Sequence, residues 1–544
     1  MSKLVDYLQQ HLDGEVLEDA DVLNYFSTDG SIFKIRPRII IYPKDTTDVR
    51  KSVRFSWQLA EQGQRLPVTV RGKGTDQAGA AIGEGAMMVM PAHFNRLVGF
   101  AKTDVVVEPG MLFGDLQRTL KSHGRFLPPY PSSMEFSTVG GAVANNACGE
   151  KSLKYGCTRD FVVSLDVVLA NGQLIRAEKI SAKELNRKKG QADFEGEVYR
   201  QLDGLLEDNE ALIRQAKTQL TVSKNSAGYD LWDVKGKDGS FDLTKLLVGS
   251  QGTLGVVTSI TFATAPYNPK THLVAAFIDD LEKVGQVVSQ LAKLKPSAME
   301  VVDYYLLDFL RRSQPRALEK VVDGELPKLM VLIEFDDHQE FQRKRHAKKA
   351  NEILAKAGIP TRIVIKKDEQ ERFWQIRRSA AAVLWQDKGK KKALPIIEDG
   401  VVPIANLPEF LHRVYDLFSA HHLEIAVWGH AGNANLHLQP FLDLSNVGDR
   451  QLVFKLMDEF YKMVIDLGGS TCGEHNDGRL RAPYLVDVYG PEIHRLFEEV
   501  KKILDPHNIL NPSVKLNFTK DEMMPILRDE YSMKHLYDHI PHLS

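Results

Sequence analysis

Apolar side chains recur along this chain at two spacings, and the switches between them outline its elements. The first 36 residues read as a short amphipathic helix and a connector. From Pro37 the reading is a strand at 38–42, a helix at 47–62 opened by Thr46 or Thr47 and stopped by Gly63, and a strand at 67–70. After Pro266 the composition shifts, and 272–278 alternates with period two. Helices expected at 280–294, 341–357, 370–385 and 405–421 then alternate with strands at 329–336, 361–366, 393–398 and 423–429, an α+β order. A strongly periodic helix at 451–467 ends at Gly468 and Gly469, and another at 491–504 stops before Pro506. No internal repeat or low-complexity stretch interrupts these segments, and residues 517–544, polar and aromatic, carry no readable pattern.

A chain of 544 residues exceeds what one core usually supports, so two or more domains are expected. With 43% hydrophobic residues, 26% charged and a formal net charge of −2, the composition is that of a globular protein with no bias toward nucleic acid. Cys148, Cys157 and Cys472 form no CxxC and are odd in number, which argues against a disulfide framework or a four-thiolate cluster and suits a reducing cytosol. The N-terminus lacks an export-signal pattern, and no apolar run reaches about 18 residues. The expected location is the cytoplasm, which leaves room for a peripheral position at the inner face of the membrane.

Candidate chemistry concentrates in a few stretches. In AVWGHAGNANLHLQP (426–440), Gly432, Asn433 and Asn435 argue against a helix, and a hairpin with its tip near Asn433 and Ala434 makes His430 and His437 direct cross-strand partners able to reach one metal ion. Downstream, Gly473-Glu474-His475 offers a third ligand and a proton acceptor. Three glycine clusters suit close approach of backbone to a phosphate: Arg71-Gly72-Lys73-Gly74-Thr75-Asp76, which serves equally as a plain turn; Ser137 to Gly149 with Thr138, Gly140, Gly141, Asn145 and Asn146, followed by Tyr155-Gly156; and Val248 to Val257 with Gly252 and Gly255.

These clusters, in this order, resemble the flavin-binding domain of the vanillyl-alcohol-oxidase or p-cresol methylhydroxylase type. His430 to His437, Gly473-Glu474-His475 and Asn511-Pro512-Ser513 resemble the branch that holds D-lactate, glycolate and D-2-hydroxyglutarate dehydrogenases. The likeness runs from about residue 37 to about 516. It implies an α+β fold: a two-part FAD-binding domain at 37–266, an α+β cap at 267–470, and a segment 471–516 that returns to the FAD domain. It implies FAD on the three glycine clusters together with Val257 and Asn511, and His430, His437 and Glu474 as ligands of a divalent metal, zinc or manganese being expected. It also implies His475 as base, or merely a loop-bonding residue, and Arg377 as the grip on a substrate carboxylate. Arg378 is the runner-up, and the alternative is a solvated charged helix face.

The activity so implied is FAD-dependent oxidation of a D-2-hydroxy acid, D-lactate-like, to the 2-oxo acid, with hydride passing to flavin N5. Departures from the branch are visible: Ala381 stands where the hydroxyglutarate subgroup has threonine, leaving Lys388, Lys390, Lys391 or Lys392 to supply a second cation, and Asn433, Ala434, Asn476 and Asp477 fill variable places in the metal loops. Thr75 replaces the histidine through which some relatives attach flavin, so FAD is expected without a covalent link, thiol attachment at Cys148 or Cys157 being the alternative. With no nicotinamide fingerprint and too few cysteines for an iron–sulfur cluster, electrons should leave to a separate acceptor such as a quinone, a cytochrome, an iron–sulfur protein or an electron-transferring flavoprotein. A homodimer is compatible with the sequence. The competing readings are a flavin-dependent synthase resembling alkyl-dihydroxyacetonephosphate synthase and a non-catalytic FAD subunit of a redox complex.

Overall fold

The computed structural model describes residues 2–322, 324–385, 389–423 and 425–536, without the side chains of residues 317 and 379–385. Lys3–His11 is a helix whose Ser2 cap accepts from the Val5 N–H. The connector behind it also contributes a strand, Glu15–Leu17, antiparallel to Ile39–Tyr42; three residues are too few to show a period. The helix Thr46–Glu61 is capped by Asp45 rather than by Thr46 or Thr47. The Asp45 carboxylate accepts from the N–H groups of Thr47 and Asp48, satisfying donors that the helix leaves unpaired. Ile39–Tyr42, Ala86–Val89 and Val68–Arg71 are parallel in that order and the first two are buried throughout, as a ladder covered on both faces requires.

A six-stranded antiparallel sheet follows, in the order Phe241–Asp242, Leu174–Ile180, Val162–Val168, Val256–Ala263, Asp104–Val107, Leu97–Phe100. Ile260 and Phe262 share one core with Leu165 and Val167, and Ile493, Leu496, Phe497 and Val500 of the helix Leu485–Leu504 enter it from the far end of the chain. That helix breaks at Gly490, φ 78°, followed by Pro491, so its regular part starts at the expected residue.

The largest sheet has the order Thr361–Val364, His272–Ile278, Leu329–Phe335, Ala298–Asp303, Ile425–His430, Asn435–Leu442, Lys392–Ala393, with Gly400–Val401 also pairing with Asn435–Leu442. Leu329–Phe335 is buried on both faces because helices cover both. Val331 and Ile333 face the helices Glu282–Ala292, Glu340–Lys356, Leu407–Ala420 and Val447–Asp466. Met330 and Leu332 face Tyr304–Ser313 and Lys367–Trp385. The expected strand at 393–398 shrinks to Lys392–Ala393, after which the chain turns inward with Glu398 and Asp399.

Two further expectations change. Cys148 and Cys157 are joined as a disulfide, against the sequence argument; an odd count says nothing about a pair that the backbone folds together, and their Cα atoms lie 4.7 Å apart. Cys472 remains a buried thiol. The tail also has structure up to Leu536: Arg528 donates to the carbonyls of Asp29 and Ser31, Tyr531 to that of Gly30, and His535 Nε2 to Gly74 O at 2.9 Å.

Candidate active site

The three glycine clusters meet along one cavity of about 290 Å³. Asp76 ties them together: its Oδ1 accepts from the Ala78 and Ala80 amides, and its Oδ2 from Asn145 Nδ2 (3.2 Å) and Gln251 Nε2 (3.4 Å). Thr138 caps the helix Val139–Asn145 by accepting from the Gly141 N–H, and its hydroxyl leaves no room for a Cβ at Gly72, only 2.4 Å away. Arg71, Gly72, Lys73, Gly74, Thr75, Asp76, Ser137, Thr138, Gly140, Gly141, Asn145, Gly149, Gly252, Gly255 and Val257 all line the cavity. Asn146, Tyr155, Gly156 and Asn511 do not line it, and the Tyr155 hydroxyl donates instead to Asp336. Asn146, in the left-handed region at φ 50°, accepts from Arg159 N, while Asn511 donates to Ala80 O and Gln251 O, locking the first cluster to the third.

The cavity wall suits the cofactor that the sequence implies. Arg71 Nη2 and Ser137 Oγ are buried without a hydrogen-bond partner among the described residues, and Gln77 Oε1 shares that state. A donor, a hydroxyl and an acceptor left unpaired at cost beside loops that hold no Cβ fit a polar, phosphate-bearing ligand.

At the other end of the cavity the hairpin Ile425–His430 and Asn435–Leu442 forms, with a tighter register than expected. His430 pairs with Asn435 and Trp428 with His437, because Ala434 takes a left-handed turn conformation at φ 51° and a four-residue connection results. His430 and His437 are therefore diagonal neighbours on one face, ring centroids 5.3 Å apart. Both point Nε2 at Glu474 Oε1, at 2.8 and 3.2 Å, and His475 Nε2 stands 3.8 Å from the same oxygen. Asp399 holds the Glu474 and His475 amides, and Asn476 donates to Asn145 O and Gly249 O, which fastens this loop to the flavin clusters.

Sequence reasoning missed the carboxylates behind the rings. Glu300 Oε1 takes His430 Nδ1 at 2.8 Å, while Glu398 Oε2 takes His437 Nδ1 at 3.2 Å and His475 Nδ1 at 2.6 Å. Glu300 is held in turn by Arg377, Glu398 by Arg481, and Glu474 Oε2 by Lys224 Nζ at 2.6 Å. A glutamate inside the apolar run AMEVVD, and Glu398 after LPII, were the available signals; an acid in a buried strand needs a reason.

Each ring thus has a carboxylate at both nitrogens. Burial lowers the pKa of His475, but Glu398 and Asp399 outweigh it and raise it to about 9; for His430, Glu300 and Glu474 overcome burial in the same direction. Four acids (Glu300, Glu398, Asp399, Glu474) are packed with three cationic side chains (Lys224, Arg377, Arg481), and the surplus carboxylate favours the protonated forms of His430 and His475. Two imidazoles and a carboxylate oriented by outer carboxylates are a donor set that suits a divalent cation.

Arg377 lines the cavity and gives Nε and Nη2 to Glu300 at 2.9 and 2.8 Å. Arg378 pairs with Glu150 and lies 5.3 Å over Trp374. Among the described residues Lys390, Lys391 and Lys392 are absent from the cavity wall, and the side chain of Ala381 and all of Lys388 lie outside the described residues.

The fold and this two-ended cavity define a flavin-dependent oxidoreductase, and comparison with known proteins agrees. Residues 37–178 match the family model "FAD binding domain" and residues 268–514 match "FAD linked oxidases, C-terminal domain". Together these span well over half of the chain, which belongs to the FAD-linked oxidase family. Its relatives include the glycolate oxidase subunit GlcD of Bacillus subtilis, 29% identical and covering 90% of each chain, and a D-lactate dehydrogenase of Anaerostipes hadrus, 28% identical over 88% of this chain and 89% of the relative. A D-2-hydroxyglutarate dehydrogenase of Escherichia coli is 29% identical over 89% of this chain, which spans only 49% of that protein's length. Among solved structures, p-cresol methylhydroxylase with substrate bound aligns with TM-score 0.67 and 16% identity over 94% of this chain and 96% of that one, a likeness of fold.

Proposed function

We propose that this chain oxidises a D-2-hydroxy acid, D-lactate-like in size, to the 2-oxo acid, with FAD bound non-covalently and a divalent metal, zinc or manganese, held by His430, His437 and Glu474. The observation that carries the reading is the convergence of three imidazoles on Glu474 Oε1 at the end of the cavity whose other wall is the FAD-binding loops. On this reading residues 37–266 and 471–516 bind FAD and 267–470 form the cap that supplies the hairpin.

FAD held on the three glycine clusters would supply a hydride acceptor, and a cation held by His430, His437 and Glu474 would lower the pKa of a substrate hydroxyl. The chain's own groups do the rest. His475 receives the hydroxyl proton at Nε2, because Glu398 occupies Nδ1 and fixes the ring. Its neutral form, which a base needs, is favoured by positive charge beside Glu474. Arg377, oriented by Glu300, presents its remaining N–H groups to the substrate carboxylate, a geometry that fixes the α-carbon in the cavity. Electrons then leave to a separate acceptor. Exposing the anaerobic holoprotein to glycolate, D- and L-lactate, D-malate and D-2-hydroxyglutarate tests the reading. Bleaching of the flavin by at least one D-acid is expected, and a flavin that dithionite bleaches while every acid leaves it yellow contradicts it.

A further inference from the structure

We propose that Cys148–Cys157 is a redox-active cystine, which takes two electrons from the reduced flavin of the same cavity and hands them to an external disulfide, on a protein or a small molecule. The placement of the two sulfurs carries the inference. Cys148 is 1% exposed and lines the cavity, whereas Cys157 is only half-buried. The residue at one end of the bond thus borders the cofactor site and the residue at the other end is partly open to solvent, which is the polarity a relay requires.

The frame around the pair keeps the two thiols adjacent once the bond opens. Ala147 O accepts both the Thr158 N–H (3.1 Å) and the Thr158 hydroxyl (2.6 Å), joining the neighbours of the two cysteines directly. The loop between them is pinned to the cap by Glu150 with Arg378 at 2.8 Å, Lys154 and Tyr155 with Asp336 at 2.5 and 2.8 Å, and Lys151 with Glu334. A cystine that closes so short a loop constrains the unfolded chain less than one that closes a long loop. Cys472, the third cysteine, is fully buried and stands apart as an internal control.

The step balances. Two electrons from the reduced flavin and two protons cleave the S–S bond, leaving one thiol on Cys148 and one on Cys157, and the flavin returns to its oxidised state. The Cys157 thiolate then attacks the external disulfide and expels one of its sulfurs. Cys148 attacks Cys157 Sγ, restoring the intramolecular bond and releasing the acceptor as a dithiol. The inference rests on the proposed occupancy of the cavity by FAD, but it needs no particular hydroxy acid.

The test uses the full-length holoprotein with measured FAD content, titrated anaerobically with dithionite and then alkylated and mapped by mass spectrometry. Four electrons per FAD are expected, with Cys148 and Cys157 both alkylated, against two electrons for Cys157→Ser at the same FAD content. FAD-stripped protein given the same dithionite should keep the Cys148–Cys157 cross-link. Uptake of two electrons per FAD with the cross-link intact overturns the proposal, and so does opening of the cystine at the same rate without FAD. A hydroxy-acid panel that fails to bleach the flavin leaves this result standing and rejects the substrate reading instead.

Discussion

Glu300→Gln is the most informative small change, because it alters one charge in a fully buried position and almost no volume. In the native protein Glu300 Oε1 accepts from His430 Nδ1 at 2.8 Å, and Oε2 accepts from Arg377 Nε and Nη2 at 2.9 and 2.8 Å. The amide can still accept from His430 through its oxygen. Its NH₂ then meets the Arg377 guanidinium, donor against donor, and the charge that made His430 a stronger donor of its Nε2 lone pair is gone. Outer carboxylates of this kind are worth roughly 10- to 100-fold in metal affinity, about 1.4–2.8 kcal/mol. The assay is competition for zinc or manganese against a chelator of known affinity, with FAD content followed in the same samples. A weakening within that range with FAD unchanged is expected. Unchanged metal affinity would refute the claim that Glu300 tunes the site, and loss of FAD would show that the change had disturbed the fold instead.

Three other outcomes follow from the same structure. His437→Ala and Glu474→Ala should each lose the metal and keep FAD by elemental and absorbance analysis, whereas His475→Ala should keep both and lose turnover by roughly 10²-fold. His535→Ala together with Leu536→Ala takes away the bond to Gly74 O and an apolar contact at the cavity wall while Arg528 and Tyr531 keep the tail anchored, so FAD retention on dialysis should fall by about tenfold. Burial raises Asp303, which caps the helix Tyr304–Ser313, from 3.8 to about 7. The folded chain therefore holds a proton that the unfolded chain releases, and stability falls as pH rises from about 4 to about 7, by on the order of 4 kcal/mol. Asp303→Asn keeps a cap and removes that slope, and denaturant midpoints at pH 5 and 8 that shift equally in both proteins would count against it.

What the sequence revealed and what it hid divide along physical lines. The period-two run His272–Ile278, the long amphipathic helices and the glycine clusters are local signals, and each appears in the structure within a few residues of the expected position. The hairpin was legible from Gly432 and Asn433, but its register depends on Ala434 turning left-handed, which composition does not favour and only the surrounding packing enforces. Lys224 was invisible, because a lone lysine in a loop far along the chain carries no pattern, and Glu300 and Glu398 stood out only as acids in apolar runs, which does not reveal the rings they face. The Cys148–Cys157 pairing was hidden for the same reason, since it depends on Thr158 folding back onto Ala147. Residues 517–536 have too little periodicity to announce that they close over Gly74.

The central claim is that a cation held by His430, His437 and Glu474 assists oxidation of a D-2-hydroxy acid by FAD in one cavity. Stopped-flow reduction of the flavin under anaerobic single-turnover conditions tests it most directly, with metal-depleted and metal-restored protein and with substrate carrying hydrogen or deuterium at the α-carbon. Depletion should slow flavin reduction by orders of magnitude, zinc or manganese should restore it, and deuterium should slow the restored reaction. Equal rates with and without the metal, at full FAD occupancy, would contradict the account.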